Sequence, residues 1–271
     1  MSKTAYKQTA WHKGAIGGNV EILENLWDWA KELQLKPEEL RNEVLLSKDD
    51  YKQMAWHKAA MKGNVEILEK LCVWAKELQL KPEELRNEVV LSKDEYKQMI
   101  WHKAAKNGKV EILEKLWDWA KELQIKPEEL GNEVVLSKDE YKQMIWHKAA
   151  KNGNVEILEK LWDWAKELQL KPEELRNEVF LSRDKYEQTI WHKAVISDNV
   201  EILEKLWDWA KKLQIKPEEL RNEVFLSKDM YEQTNLSKAE RSGNVEILEK
   251  LRDWAKELQV KPEELRNMRI F

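Results

Sequence analysis

The chain has 271 residues, of which 42% are hydrophobic and 36% charged, and its 47 Lys+Arg against 51 Asp+Glu give a formal net charge of -4. This near balance argues against a surface built for nucleic acid or an anionic membrane; no window approaches the ~18 apolar residues of a membrane span, and the first residues do not read as a signal peptide. A single cysteine, Cys72, excludes an internal disulfide framework and fits a reducing compartment, so an intracellular, cytoplasmic location is expected.

The sequence is a repeat. Tyr6, Tyr51, Tyr96, Tyr141, Tyr186 and Tyr231 fall in one phase, and Pro37, Pro82, Pro127, Pro172, Pro217 and Pro262 in another, both stepping by 45 residues. His12, His57, His102, His147 and His192 step the same way. The expected units are 6–50, 51–95, 96–140, 141–185, 186–230 and 231–271, forming one array over 1–271 with no room for a separate catalytic domain.

Within the unit that starts at Tyr51, the elements follow in order. Trp56-His57-Lys58-Ala59-Ala60 reads as a short helix ended by Gly63-Asn64, with Asn64 suited to cap the next helix. Val65 to Leu80 reads as a long helix, because Ile67, Leu68, Leu71, Trp74, Ala75 and Leu78 recur at helical spacing. Pro82 suits the first position of a third helix, with Glu83 and Glu84 at the positive end of its dipole. That helix should run toward Leu91, although Val89-Val90-Leu91 could instead be extended. Ser92 to Glu95 is a polar connection.

One unit is too thin to bury its apolar faces, so units must stack on their neighbours. The end of the sequence supports this. The phase of Cys72 reads Trp27, Cys72, Trp117, Trp162, Trp207 and then Arg252. A tryptophan that faces the following repeat is replaced by arginine in the last copy, which also carries Leu236, Ser237, Glu240 and Arg241 at altered positions. The sixth unit is therefore expected to be a polar cap.

The segment Gln8-Thr9-Ala10-Trp11-His12-Lys13-Gly14-Ala15, followed by Gly18-Asn19-Val20-Glu21-Ile22-Leu23, resembles an ankyrin repeat, and Trp101 to Ala105 with Gly108 to Leu113 matches as well. The resemblance implies paired helices, a structural histidine at each first-helix start, a first helix that lines the concave binding face, and a role in protein–protein interaction. The period departs from the family's ~33 residues, and the extra residues fit an inserted third helix around Lys-Pro-Glu-Glu-Leu. The family's turn glycine is replaced by Lys7, Lys52, Lys97, Lys142, Glu187 and Glu232, residues poorly suited to positive φ, which puts the usual β-hairpin in doubt. The capping threonine becomes Met54, Met99 and Met144 in the middle copies. By period alone, a HEAT- or armadillo-like array is the alternative.

Candidate chemistry is sparse. The histidines lack companion ligands at metal spacing, and stacked repeats would hold them ~8–10 Å apart, too far to share a zinc; no metal, cofactor or catalytic site is expected. The tryptophans sit at core spacing. Cys72 reads as a small buried apolar residue. The lysine phase (Lys13, Lys58, Lys103, Lys148, Lys193, Lys238) reads as a solvated row on the first helix that suits acidic or phosphorylated partners. The positions that follow it vary between copies. The candidate partner-binding set is Lys58, Met61, Lys62, Lys103, Lys106, Asn107, Lys148, Lys151, Asn152 and Lys193. The expectation is thus a nearly all-α helical-repeat solenoid of six stacked ankyrin-like units, a non-catalytic scaffold that binds a protein or peptide. The alternative is a structural spacer, and the net charge disfavours nucleic acid.

Overall fold

The computed structural model describes residues 6–261 and Glu264, and all regular structure among them is helical. The chain divides between Val134 and Val135 into two compact units. In the first, the helices Ala10–Gly17, Ala55–Lys62 and Ile100–Asn107 pack side by side in chain order. In the second, Ile145–Lys151, Ile190–Ile196 and Asn235–Ser242 do the same.

Each short helix is followed by a 13-residue helix, such as Val65–Glu77 or Val200–Lys212. The turn between them needs left-handed backbone. Gly63 supplies it at φ 78°, and in the fifth copy Asp198 takes the same place at φ 58°. The Asn that follows caps the long helix in three copies: Asn19, Asn199 and Asn244 accept from Ile22, Glu201 and Ile247 N–H. Asn64 does not cap; its amide donates instead to the Ala15 carbonyl of the preceding copy at 2.7 Å.

The long helix stops at Glu77, short of the expected Leu80, because Gln79 turns left-handed at φ 53°; Gln34, Gln124, Gln169, Gln214 and Gln259 repeat the turn. The third segment is helical throughout, which resolves the ambiguity over Val89 to Leu91. It begins as a short turn at Pro82, where the Glu84 carboxylate accepts from the Lys81 N–H at 3.0 Å. It then widens into a π-helix, Leu85–Val90, in which Leu91 N–H reaches back five residues to the Arg86 carbonyl. The π-helix recurs, for example at Arg41–Leu45 and Leu175–Phe180. The next copy's tryptophan ties down its end: Trp56 Nε1 donates to the Leu45 carbonyl at 2.9 Å, and Trp146 Nε1 to that of Val135 at 3.1 Å.

The loop turns correct an expectation. Lys52 adopts φ 56°, and Lys7, Lys97, Lys142, Glu187 and Glu232 lie between 53° and 57°, so the turn keeps a glycine-like conformation without glycine. Such a residue costs about 1–2 kcal/mol. The Asp49 carboxylate offsets it by accepting from both Tyr51 and Gln53 N–H, at 3.0 and 2.9 Å. Successive loops also join along the backbone, Asp50 N–H to the Tyr6 carbonyl and Glu95 N–H to that of Tyr51.

Tryptophans form the mortar between copies. Trp11, Trp56, Trp101, Trp146 and Trp191 are fully buried. The Trp27 ring stacks on Trp74 of the following copy at 4.7 Å, Trp162 on Trp209 at 4.9 Å, and Trp207 on Trp254 at 4.4 Å. Arg252, in the same phase as Trp207, is exposed, as a capping copy requires. Trp29 departs from the core expectation: it occupies the phase of Trp74 in the first copy, no tryptophan of a preceding copy covers it, and it is 59% exposed.

Candidate interaction surface

The first helix of each of the first five copies starts at a histidine, and that of the sixth at Ser237, whose N–H donates to the Thr234 hydroxyl at 3.2 Å. His12 Nδ1 accepts from the Thr9 N–H at 3.2 Å, which places the ring proton on Nε2, where it donates to the Gln53 carbonyl of the next copy at 2.9 Å. In copies where threonine is replaced, the backbone still binds: Met54 N–H lies 3.4 Å from His57 Nδ1 and Met144 N–H 3.4 Å from His147 Nδ1. The histidine contact to the cap residue's N–H thus persists with or without the hydroxyl. Burial pushes His57 down to about 4, His147 to about 3 and His192 to about 4, so the rings are neutral at pH 7. Among the described residues no cluster of three or more metal-ligating side chains occurs.

The lysine row requires a correction. Lys58, Lys103, Lys148 and Lys193 are buried rather than solvated, at 4%, 6%, 8% and 2% exposure. Each closes an ion pair with a carboxylate from its own loop: Lys58 with Asp49 at 2.7 Å, Lys103 with Asp94 at 2.8 Å, Lys148 with Asp139 at 2.7 Å and Lys193 with Asp184 at 2.6 Å. A glutamine completes each knot. Lys58 donates to Gln53 Oε1 at 2.6 Å, and Gln53 Nε2 donates onward to Asp94, in the loop that leads into the next copy, at 2.6 Å. The same relay runs from Gln143 to Asp184 and from Gln188 to Asp229. A buried ammonium needs such partners, since desolvation alone would be prohibitive. Burial works to raise the Asp49, Asp184 and Asp229 carboxyls, but the paired lysine and the loop N–H groups outweigh it and hold all three below the ordinary range, Asp229 at about 2. Lys13 alone in the row is exposed, and Thr4 stands where the other copies have aspartate; Thr4 lies outside the described residues.

The remaining candidates lie further along the same helices. Lys62, Lys106, Asn107, Lys151 and Asn152 are exposed and Met61 is half-buried. These are the positions at which the copies differ. Beside them runs a feature whose periodicity the sequence displays but whose role it conceals. The tyrosines form ladders within each unit, Tyr6 to Tyr51 to Tyr96 at 6.0 and 6.1 Å and Tyr141 to Tyr186 at 6.1 Å, half-buried except at the exposed Tyr6. The buried aspartates were also missed as partners, although each stands nine residues before its lysine: Asp49 and Lys58, Asp94 and Lys103, Asp139 and Lys148.

No family model matches the chain, and no curated protein matches it. No helix among the described residues is long and apolar enough to cross a membrane.

Proposed function

We propose that the chain is an ankyrin-like repeat protein that acts as a non-catalytic, intracellular scaffold. It binds a partner protein or peptide on the surface where the first helices end and the loop tyrosines stack. One observation carries this reading. Along the first helices, the side chains copied from unit to unit are consumed in packing, ion pairs and histidine knots, while the exposed positions at the helix ends differ between copies. Tyrosine supplies contact area at low entropic cost and keeps a polar tip for hydrogen bonding. The left-handed loop turn and the Thr9–His12 knot support an ankyrin-like unit over a HEAT- or armadillo-like one.

The test is a peptide-display selection against the whole chain, followed by substitution of Lys62, Lys106, Asn107, Lys151 and Asn152 by alanine. Selected peptides should lose at least about tenfold in affinity while the thermal transition stays in place. Peptides that bind the variant equally well would refute the assignment. A steep fall of affinity with salt, tracking phosphate-like ligands, would favour nucleic acid instead.

A further inference from the structure

The contact between the second and third copies lacks one ring. In the first and fifth copies, the tryptophan in the phase of Cys72 is held in three ways. Trp27 stacks on Trp74 of the next copy at 4.7 Å, meets the edge of Trp11 at 6.3 Å, and has the Lys31 ammonium 5.9 Å from its centroid. Trp207 repeats the pattern, with Trp254 at 4.4 Å, Trp191 at 6.3 Å and Lys211 at 5.3 Å. At Cys72 all three holders are present and the ring is not. Trp119 is half-buried, where Trp74, Trp209 and Trp254 are 5%, 4% and 8% exposed. Trp56 still meets Trp119 edge-on at 6.0 Å, as Trp11 meets Trp74 at 5.7 Å. Lys76 stands where Lys31 and Lys211 stand in their copies, and with Trp56, Cys72, Trp119 and Val89 it lines a partly open, predominantly apolar cavity of about 50 Å³.

We propose that this cavity is a binding site for a small, planar, electron-rich aromatic molecule of the indole class, seated where the missing tryptophan ring would lie. The ring stacks on Trp119, presents its edge to Trp56 and lies under the Lys76 ammonium. The stack favours a flat π-system, and the ammonium favours an electron-rich one. The native rings find no acceptor for their N–H in the corresponding places, as at Trp27 and Trp207, so a bound indole is held by stacking and its N–H is best turned to the open side. Because the Cys72 side chain fills part of the space and the cavity opens outward, the ligand is held edge-in and partly exposed. Its dissociation constant is therefore on the order of 1 mM, reasonable for so small a molecule.

Titration calorimetry with indole, supported by fluorine NMR of 5-fluoroindole, tests the site on the whole chain. Wild type and Cys72→Ala should bind with one-to-one saturation, and Cys72→Trp, which restores the ring, should not bind. Cys72→Trp should also unfold at higher temperature, which confirms that its loss of binding is not loss of fold. Cys72→Met, whose flexible side chain fills the same space, provides a second blocking variant should the tryptophan variant fail to fold. Lys76→Met should weaken indole about threefold. No saturation up to the solubility of indole, or equal binding by both filled variants, would overturn the proposal.

Discussion

Trp207 lies flat on Trp254 across the contact between the fifth and sixth copies, with ring centroids 4.4 Å apart and planes 7° from parallel. The sixth copy in turn presents Arg252 to solvent at the place where another indole would demand a cover. Trp254→Ala should therefore cost about 3–5 kcal/mol, read from urea unfolding. Removing residues 231–271 should leave Trp207 uncovered and drive association, visible by light scattering. A soluble, monomeric truncation would show that the sixth copy is not a cap.

The buried ion pairs make an asymmetric prediction. Asp139→Ala leaves the Lys148 ammonium buried without its carboxylate, and should destabilise the fold by about 3–5 kcal/mol. The double variant Asp139→Ala with Lys148→Met removes both charges and should recover most of that loss. If the double variant is as unstable as the sum of its parts, the pair is not the coupled unit that the 2.7 Å contact implies.

Acid should unfold the protein in two stages. His57, His147 and His192 titrate at about 4, 3 and 4 in the folded chain, below the ordinary 6.5. The unfolded chain thus binds more protons between those limits. The stability they contribute is complete above pH 6.5 and declines as pH falls through 6.5 toward 4, by on the order of 1 kcal/mol or more per ring. The depressed carboxyls of Asp49, Asp184 and Asp229 add a second decline below pH 4. Melting temperatures should be level from pH 7 to 8 and fall steadily below 6.5. Changing all three histidines to glutamine should shrink the first stage to the part that His12, also lowered by burial, contributes, and leave the second.

The left-handed loop residue offers a local test. Lys52 sits at φ 56°, so Lys52→Gly should be more stable than Lys52→Ala by about 1 kcal/mol. Equal stabilities in thermal unfolding would mean that the loop does not hold this conformation in solution.

The helical periodicity and the single phase of tyrosines, prolines and histidines made the copies legible in the sequence. Much of the packing could be read too: Trp56 was recognised as core, and Arg252 as the mark of a last copy. The candidate site was misread because Lys58 and its counterparts look solvated on a charge-rich helix, while their carboxylates arrive from a loop nine residues upstream. A short-range helical pattern carries no sign of such a partner. The loop conformation failed for a related reason. Lys52 has no intrinsic preference for positive φ, and only the Asp49 bonds to Tyr51 and Gln53, invisible to propensity, hold it there.

The glutamine relay constrains how the gene for such a chain can change length. Gln8 reaches Asp49 just as Gln53 reaches Asp94. Excising residues 51–95 as one segment would remove Gln53 and its acceptor Asp94 together and leave Gln8 on Asp49, with no donor stranded at the splice. A cut of a fractional period between a glutamine and its aspartate would break their 41-residue spacing and strand a buried carboxylate. Loss or gain in whole periods is then tolerated and fractional change is not, so recombination between homologous copies becomes a permitted route by which the chain is lengthened or shortened.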